Sequence, residues 1–578
     1  MTPTQEITLN FIRNQIIGRD YRFSTPFGSR LLTYADFTAS GRALNFIEKF
    51  LIHVQRSYAN THTEDDATGR TMTGLLHQAE HMIKQAFNAE NGYCIIAHGT
   101  GSTGAISKFQ EIIGVRVAPA TKALYQRLLE QYFEDHPEIR NLYQEMTAFL
   151  EAHKPVVFIS SYEHHSNEIM WRESFAEVIE IALLKDGTLD LEYLEREISD
   201  PRYNNRLKIG SFSAASNVTG IVSPVYDIAR ILHRHGAIAC FDFAASAPYV
   251  KINMNKDDES YFDAVFISPH KFLGGPGATG ILVFNESLYD TSLPPTFAAG
   301  GTVDYVSPFA VDYTKDIETR EKAGTPGIIQ TIRAALAIDL KDHIGIEVLE
   351  AKERDFCRRG MEKLQKIPNV EILGNPDPDK RIPIISFVIR HNDRYLHPKF
   401  STKLLNDLFG IQSRAGCSCA GVYGHRLLNI THPQSEKFRK LVQKGFMAIK
   451  PGWTRVNFHY SFTETEFQFI IDAIEFVAKY GYKFLPLYKI DLHTGDWFYR
   501  NFVDKDLSFR PTIQNVLKLA QRDCFEAEPV NMEKEFREYL QFAHDKALKL
   551  PEPKMEDYKT FGDPLADELQ WFYFCDST

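Results

Sequence analysis

A chain of 578 residues, 44% hydrophobic and 24% charged, is globular and large enough for several domains. Its formal charge of -10 argues against nucleic acid as the main partner, and no apolar run is long enough to span a membrane. Seven cysteines (Cys94, Cys240, Cys357, Cys417, Cys419, Cys524, Cys575) are few and odd in number, and Met1 to Asn10 has neither a basic stretch nor an apolar core, so no signal peptide, no disulfide scaffold and a cytoplasmic setting are expected.

Residues 1–30 read as a polar N-terminal arm. The run Tyr34-Ala35-Asp36-Phe37-Thr38-Ala39-Ser40-Gly41 gathers small residues, which let backbone approach a ligand closely or turn before a helix at 43–55. His62 follows Ala59-Asn60-Thr61 in a polar stretch, and a helix is expected at 71–88. The apolar run 92–97 reads as a buried strand, and His98-Gly99-Thr100-Gly101-Ser102-Thr103-Gly104 turns it into another helix. Such a turn presents backbone N–H groups and hydroxyls to a phosphate. No lysine follows it, which disfavours ATP. Residues 107–153 read as a charged helical insertion with no visible chemistry.

The strand at 156–160 ends at Glu163-His164-His165-Ser166-Asn167. Neighbouring histidines on extended backbone point apart, and no third ligand matches them, so no metal site is expected and one histidine faces a ligand. Strands follow at 178–184, 208–212, 238–243, 265–268 and 281–284, with helices such as 224–235 between them. This alternation predicts an α/β fold with a mostly parallel sheet covered on both faces. Ligands bind beyond the carboxyl ends of such strands, where Ser102, Thr103, His164, Asn217, Asp242 and Lys271 stand. Helices at 328–341 and 345–366 lead into a second region. It has strands near 383–390, 411–414 and 454–459 and helices near 400–409 and 463–480. The domain reading is an arm at 1–30, a large domain at 31–340 carrying the insertion, a smaller α+β domain at 341–484, and an aromatic-containing, folded extension at 485–578.

The chemistry centres on Ser268-Pro269-His270-Lys271-Phe272-Leu273-Gly274-Gly275-Pro276. An amine held on a stiff turn after a buried strand is suited to imine formation once deprotonated. A pyridoxal phosphate site needs such a lysine and a carboxylate for the ring nitrogen, which Asp242 supplies. It also needs a phosphate cradle, offered by Gly101, Ser102 and Thr103 with Ser268 and His270. His164 lies over the ring and moves protons. Arg455 is suited to gripping a substrate carboxylate.

From about 33 to 480 the chain resembles the class V aminotransferase group of fold-type I pyridoxal phosphate enzymes, nearest to the cysteine desulfurase and selenocysteine lyase branch. The resemblance rests on Ala59-Asn60-Thr61-His62, Gly101-Ser102-Thr103-Gly104, the Glu163–Asn167 motif and Ser216-Asn217-Val218-Thr219-Gly220. It extends to Asp242, Ser268-x-His270-Lys271, Ala323-Gly324-Thr325-Pro326 and Arg414-Ala415-Gly416-Cys417-Ser418-Cys419-Ala420. It implies that Cys419 is the nucleophile taking sulfur from L-cysteine, and that Asn217 sits near the ring oxygen or the substrate carboxylate. It implies that Arg414 and His62 serve the substrate, and that Thr325 reaches the phosphate in the other subunit of a homodimer. A sulfur-acceptor protein would then complete the cycle. One departure is Ala245, where the family usually carries Gln. Two other readings stand beside this one. The first is another pyridoxal phosphate aminotransferase, lyase or epimerase with Cys417 and Cys419 structural; the second is a non-catalytic interaction protein that has kept the fold.

Overall fold

The computed structural model describes residues 8–61, 63, 65–503, 512–514, 517 and 530–577. The chain forms two compact units: Ser40–Ser216 with Ile221–Glu347, and Met1–Ala39 with Asn217–Gly220 and Val348–Thr578.

The first unit is built on seven strands: β1 (Tyr93–Ala97), β2 (Val156–Ser160), β3 (Glu177–Ile181), β4 (Lys208–Ser213), β5 (Ile238–Asp242), β6 (Ala264–Ile267) and β7 (Ile281–Asn285). Their order in the sheet is β1-β7-β6-β5-β4-β2-β3. The pairs β2/β3, β2/β4, β4/β5 and β5/β6 are parallel, while β7 runs antiparallel to both neighbours. β2 and β6 are buried along their whole length, because helices cover both faces; this is why they read as unbroken apolar runs rather than alternating ones. Ile106, Phe109, Trp171, Phe266 and Leu282 belong to one continuous core. The principal helices are α1 (Gly101–Ile112), α2 (Pro119–Asp135), α3 (Arg140–His153), α4 (His165–Arg172), α5 (Val225–Arg234) and α6 (Ile328–Ile344). The stretch read as one helical insertion from 107 is divided. α1 continues to Ile112 and buries Phe109, and the excursion proper is α2 and α3.

The second unit carries β8 (Val370–Ile372), β9 (Ile384–His391), β10 (Arg394–Leu396), β11 (Arg414–Gly416) and β12 (Trp453–Asn457). The order is β8-β9-β12-β11, all antiparallel, with β10 also pairing to β9. Its helices include α7 (Ile346–Leu364), α8 (Pro398–Phe409), α9 (Glu464–Tyr480) and α10 (Met532–Lys549). A capping box of Thr463 and Glu466 starts α9, satisfying its first free N–H groups. Phe467, Ile470, Ile471, Ile474 and Val477, spaced for one helix face, are buried. Chain beyond residue 485 shares this core: Phe536 of α10 stacks on Phe469 of α9 at 3.8 Å, and Trp497 and Phe572 are buried.

Candidate active site

Sheet topology brings the ends of β1, β2, β5 and β6 to one edge of the first unit. After β6, Pro269–Lys271 form a single 3₁₀ turn, closed by Lys271 N donating to Ser268 O at 3.0 Å. Gly41 N donates to His270 O at 2.9 Å, and Ser40 Oγ reaches the same oxygen at 3.2 Å. A Cβ on Gly41 would stand 1.9 Å from Phe272 O, and one on Gly275 would stand 1.9 Å from Pro269 O. The small residues at 40–41 therefore admit the backbone of the lysine turn itself. Burial, reinforced by the Lys271 charge, lowers the His270 pKa to about 4, so this imidazole is neutral at physiological pH.

The turn after β1 is bound to the same structure. Gly101 takes φ +59°, and a Cβ there would meet Ser268 Oγ at 2.7 Å. Ser268 Oγ accepts from Ser102 N at 2.8 Å, and the hydroxyls of Thr103 and Ser166 lie 2.6 Å apart. Ser166 N donates to His164 Nδ1 at 3.2 Å, and Ser166 Oγ is 3.0 Å from the same nitrogen. With Nδ1 accepting, the neutral ring carries its proton on Nε2. Asp242 ends β5, 3% exposed, and accepts from Ala244 N at 2.9 Å. Burial pushes its pKa up, while that N–H, the Lys271 charge and the Ser102 hydroxyl pull it back. Ala245 is buried two residues beyond β5's next residue, and Thr325 is exposed after Gly324 at φ +74°.

Glu163 opens the histidine motif, and nothing in its spacing signals a role for it. Its carboxyl is fully buried and accepts from Ser160 Oγ (2.5 Å), Ser213 Oγ (2.6 Å), Ser213 N (2.9 Å) and Asn167 Nδ2 (2.7 Å). Asn167 Oδ1 in turn accepts from Trp171 Nε1 and Ser211 Oγ. This network ties β2, β4 and α4 together directly beneath His164. Desolvation outweighs the four donors and raises the Glu163 pKa to about 7.

The second unit holds the arginines and the cysteine loop. Arg414 on β11 and Arg455 on β12 are register partners. Asp36 lies between them: Oδ1 accepts from Arg455 Nη2 at 2.9 Å and Oδ2 from Arg414 Nε at 2.9 Å. Arg455, 3% exposed, also donates Nη1 to Asn217 O. Its guanidinium is thus engaged by the protein, whereas Arg414 is half-exposed with only Nε engaged by Asp36. Asn217 Nδ2 donates to Ser418 O at 2.7 Å, which leaves Oδ1, a buried acceptor without a hydrogen-bond partner, as its open atom.

Ala420 N donates to Cys417 O at 3.0 Å, and Ser418 and Cys419 take φ +50° and +56°. A closed four-residue turn with both central residues left-handed is of the I′ kind, normally made by Asn and Gly. Ser418 is held from two sides, by Asn217 on its carbonyl and by Trp453 Nε1 on its hydroxyl at 3.2 Å. Cys419 is exposed and Cys417 half-buried, while Cys94, Cys240, Cys357 and Cys575 are buried. Burial pushes the Cys94 and Cys357 thiols up to about 12. His62 lies outside the described residues. Among the described residues no three His, Cys, Asp or Glu side chains are grouped to hold a metal ion.

The profile of the family described as Aminotransferase class-V matches residues 141–465. The chain belongs to the class V aminotransferase family. A probable cysteine desulfurase of Halalkalibacterium halodurans is 32% identical over 268 residues, 46% of this chain and 61% of that protein. The chain thus spans under two thirds of that relative. A probable cysteine desulfurase of Staphylococcus aureus is 28% identical over 71% of this chain and 88% of its own length. The fold matches an apo cysteine desulfurase structure from Thermococcus onnurineus with TM-score 0.62 at 20% identity, over 83% of this chain and all of that one. A second match is a cysteine desulfurase from Escherichia coli, with TM-score 0.59 at 18% identity over 82% and 98%.

Enzymes of this family are pyridoxal phosphate-dependent, and so is this chain. Its residues fit that group. A Cβ at Gly101 would meet Ser268 Oγ and His270 Nε2, the turn carries the hydroxyls of Ser102 and Thr103, and the buried carboxyl of Asp242 suits a protonated ring nitrogen. Lys271 would hold the cofactor covalently, with His164 available against the ring.

Three outcomes follow from this geometry. Gly275→Ala forces the Lys271 turn open, and the purified variant should lose most bound pyridoxal phosphate, measured by absorbance of the denatured cofactor. Asp36→Asn removes the counter-charge of buried Arg455 and should cost roughly 3–5 kcal/mol in urea unfolding. Glu163 carries a folded-state pKa near 7 against an ordinary 4.5. The folded state then binds the extra proton between those values, so Glu163's contribution to stability falls as pH rises from 4.5 to 7 and is flat above. Glu163→Gln should abolish that slope in melting temperature against pH, while losing about 1–3 kcal/mol because its amide faces the Asn167 donor.

Proposed function

We propose that the protein removes sulfur from L-cysteine, leaving alanine and a persulfide on Cys419. The observation that carries this reading is the tight turn at 417–420, which exposes Cys419 directly beyond the strand bearing Arg414. The desulfurase relatives support it. Pyridoxal phosphate, held by Lys271 and Asp242, would supply an electron sink for the pair that the substrate's carbon–sulfur bond leaves toward carbon. Cys419 Sγ, as thiolate, forms the new S–S bond as that bond breaks. His164 Nε2 holds a proton for transfer, fixed in that tautomer by Ser166. The Nη atoms of Arg414 orient the substrate carboxylate while Asp36 fixes the guanidinium through Nε. Asn217 Oδ1, an acceptor, suits a protonated partner rather than a carboxylate.

Exposed Cys419 is open to a sulfur-accepting protein. Exposed Thr325 supports a homodimer in which it reaches the second copy's phosphate. The free thiols among the described residues support a cytoplasmic setting.

The test supplies L-cysteine to wild type, Cys419→Ser, Cys417→Ser and Lys271→Ala. Wild type should form alanine and protein persulfide. Cys419→Ser should lose both, keeping the yellow, borohydride-bleachable colour, while Lys271→Ala should lose the colour as well. Turnover by Cys419→Ser at the wild-type rate would instead assign the chain to another pyridoxal phosphate reaction with Cys417 and Cys419 structural.

A further inference from the structure

Helices α2 and α3 form an excursion with almost no support from the rest of the chain. Phe133 is the one buried side chain of α2, and α3 has none. The helices meet at their connecting turn, where the Phe133 and Tyr143 rings are 5.0 Å apart and Arg140 lies over Phe133. Helices of 17 and 14 residues are close to the length at which an isolated helix is marginal in water. Yet each carries an apolar stripe facing solvent. On α2 it is Leu124, Leu128 and Tyr132, at i, i+4 and i+8; on α3 it is Leu142, Met146 and Phe149. Leu128 is 56% and Phe149 61% exposed. Together these side chains expose several hundred Å², the scale of the roughly 800 Å² each partner gives to a standard interface.

Two features of α2 say what covers it. The centre line of the stripe is symmetric about Leu128, with Leu124 and Tyr132 four residues to either side and exposed Tyr125 flanking it. The charge is antisymmetric about the same point: Lys122 and Arg127 precede Leu128, and Glu134 and Asp135 follow it, while Glu130 pairs with Arg140 on the far face of the helix. A second α2 laid antiparallel across the first therefore sets apolar stripe on apolar stripe and each basic half beside an acidic half. A surface self-complementary under a two-fold axis is what an isologous contact between identical chains requires. With α3 and its mate alongside, the result is a four-helix layer.

We propose that α2 and α3 form a homomeric interface, with α2 crossing its counterpart antiparallel near Leu128. This contact is independent of the enzymatic reading and of any dimer made through Thr325. The test uses full-length protein with Cys419→Ser as background, so that the exposed thiol does not interfere. Leu128→Cys should form a disulfide-linked pair on mild oxidation, because residue 128 meets itself across the axis. Gln126→Cys, two residues away on the opposite face of α2, should not. In sedimentation, Leu128→Asp should halve the mass of the wild-type assembly while keeping its helical circular dichroism. Equal masses for wild type and Leu128→Asp over the whole concentration range would overturn the proposal. So would cross-linking at 128 no faster than at 126, the result expected if a different protein or a lipid surface covers these helices.

Discussion

Two arginines facing each other on neighbouring strands repel, and the carboxylate of Asp36 is what allows Arg414 and Arg455 to do so. It does not treat them alike. Arg455 is buried and its charge needs a partner at close range; Asp36 and Asn217 O supply it. Arg414 is half-exposed and gives up only Nε. Its guanidinium is thereby held at Nε while half of the side chain stays exposed. One buried charge pair thus sets the rigidity of the β11–β12 edge, and β11 runs straight into the cysteine turn.

That turn stores strain. Ser and Cys at two successive left-handed positions cost of order 1–3 kcal/mol each, and such conformations persist where surrounding bonds over-determine them. Here the surrounding bonds are two, from Asn217 and Trp453, and both fall on Ser418 rather than on Cys419. The clamp therefore fixes the backbone while leaving the thiol uncovered. Trp453 is itself held in β12, two residues from Arg455, so the residue that steadies the turn and the residue that anchors Asp36 share one strand.

Much of this was legible in the sequence where the signal is local. Strand runs followed by Gly- or Ser-rich turns located Lys271, the Gly101 turn and Asp242, because turn chemistry and burial act over a few residues. The pairing of Asp36 with arginines 378 and 419 positions away leaves no local mark, so the sequence reading of Arg455 as a carboxylate grip could not take its buried ion pair into account. Glu163 sat in view inside the histidine motif. Its role depends on Ser160, Asn167 and Ser213 converging from three elements, which no spacing announces. The insertion was visible as charged helix but its start was not, since Phe109 belongs to the core while its neighbours in sequence read as surface. Asn217 shows the limit most clearly: an amide offers both a donor and an acceptor, and only the bond to Ser418 O shows that Oδ1 is the atom left over.

Among the described cysteines, burial separates Cys419, to which the nucleophilic role is proposed, from those held in the core. The desolvation that raises the Cys94 and Cys357 thiols to about 12 keeps them protonated, and it acts on any thiol set on a core strand or helix. A reactive thiolate therefore has to leave the core, yet loops that leave the core usually lose precision. The turn at 417–420 resolves the conflict by separating the two requirements between neighbours. Ser418 takes the hydrogen bonds that bring order, and Cys419 takes the exposure that permits reaction. Exchange of the two residues would reverse the assignment, placing the thiol under Trp453 and the hydroxyl in solvent, which is why their order matters as much as their presence.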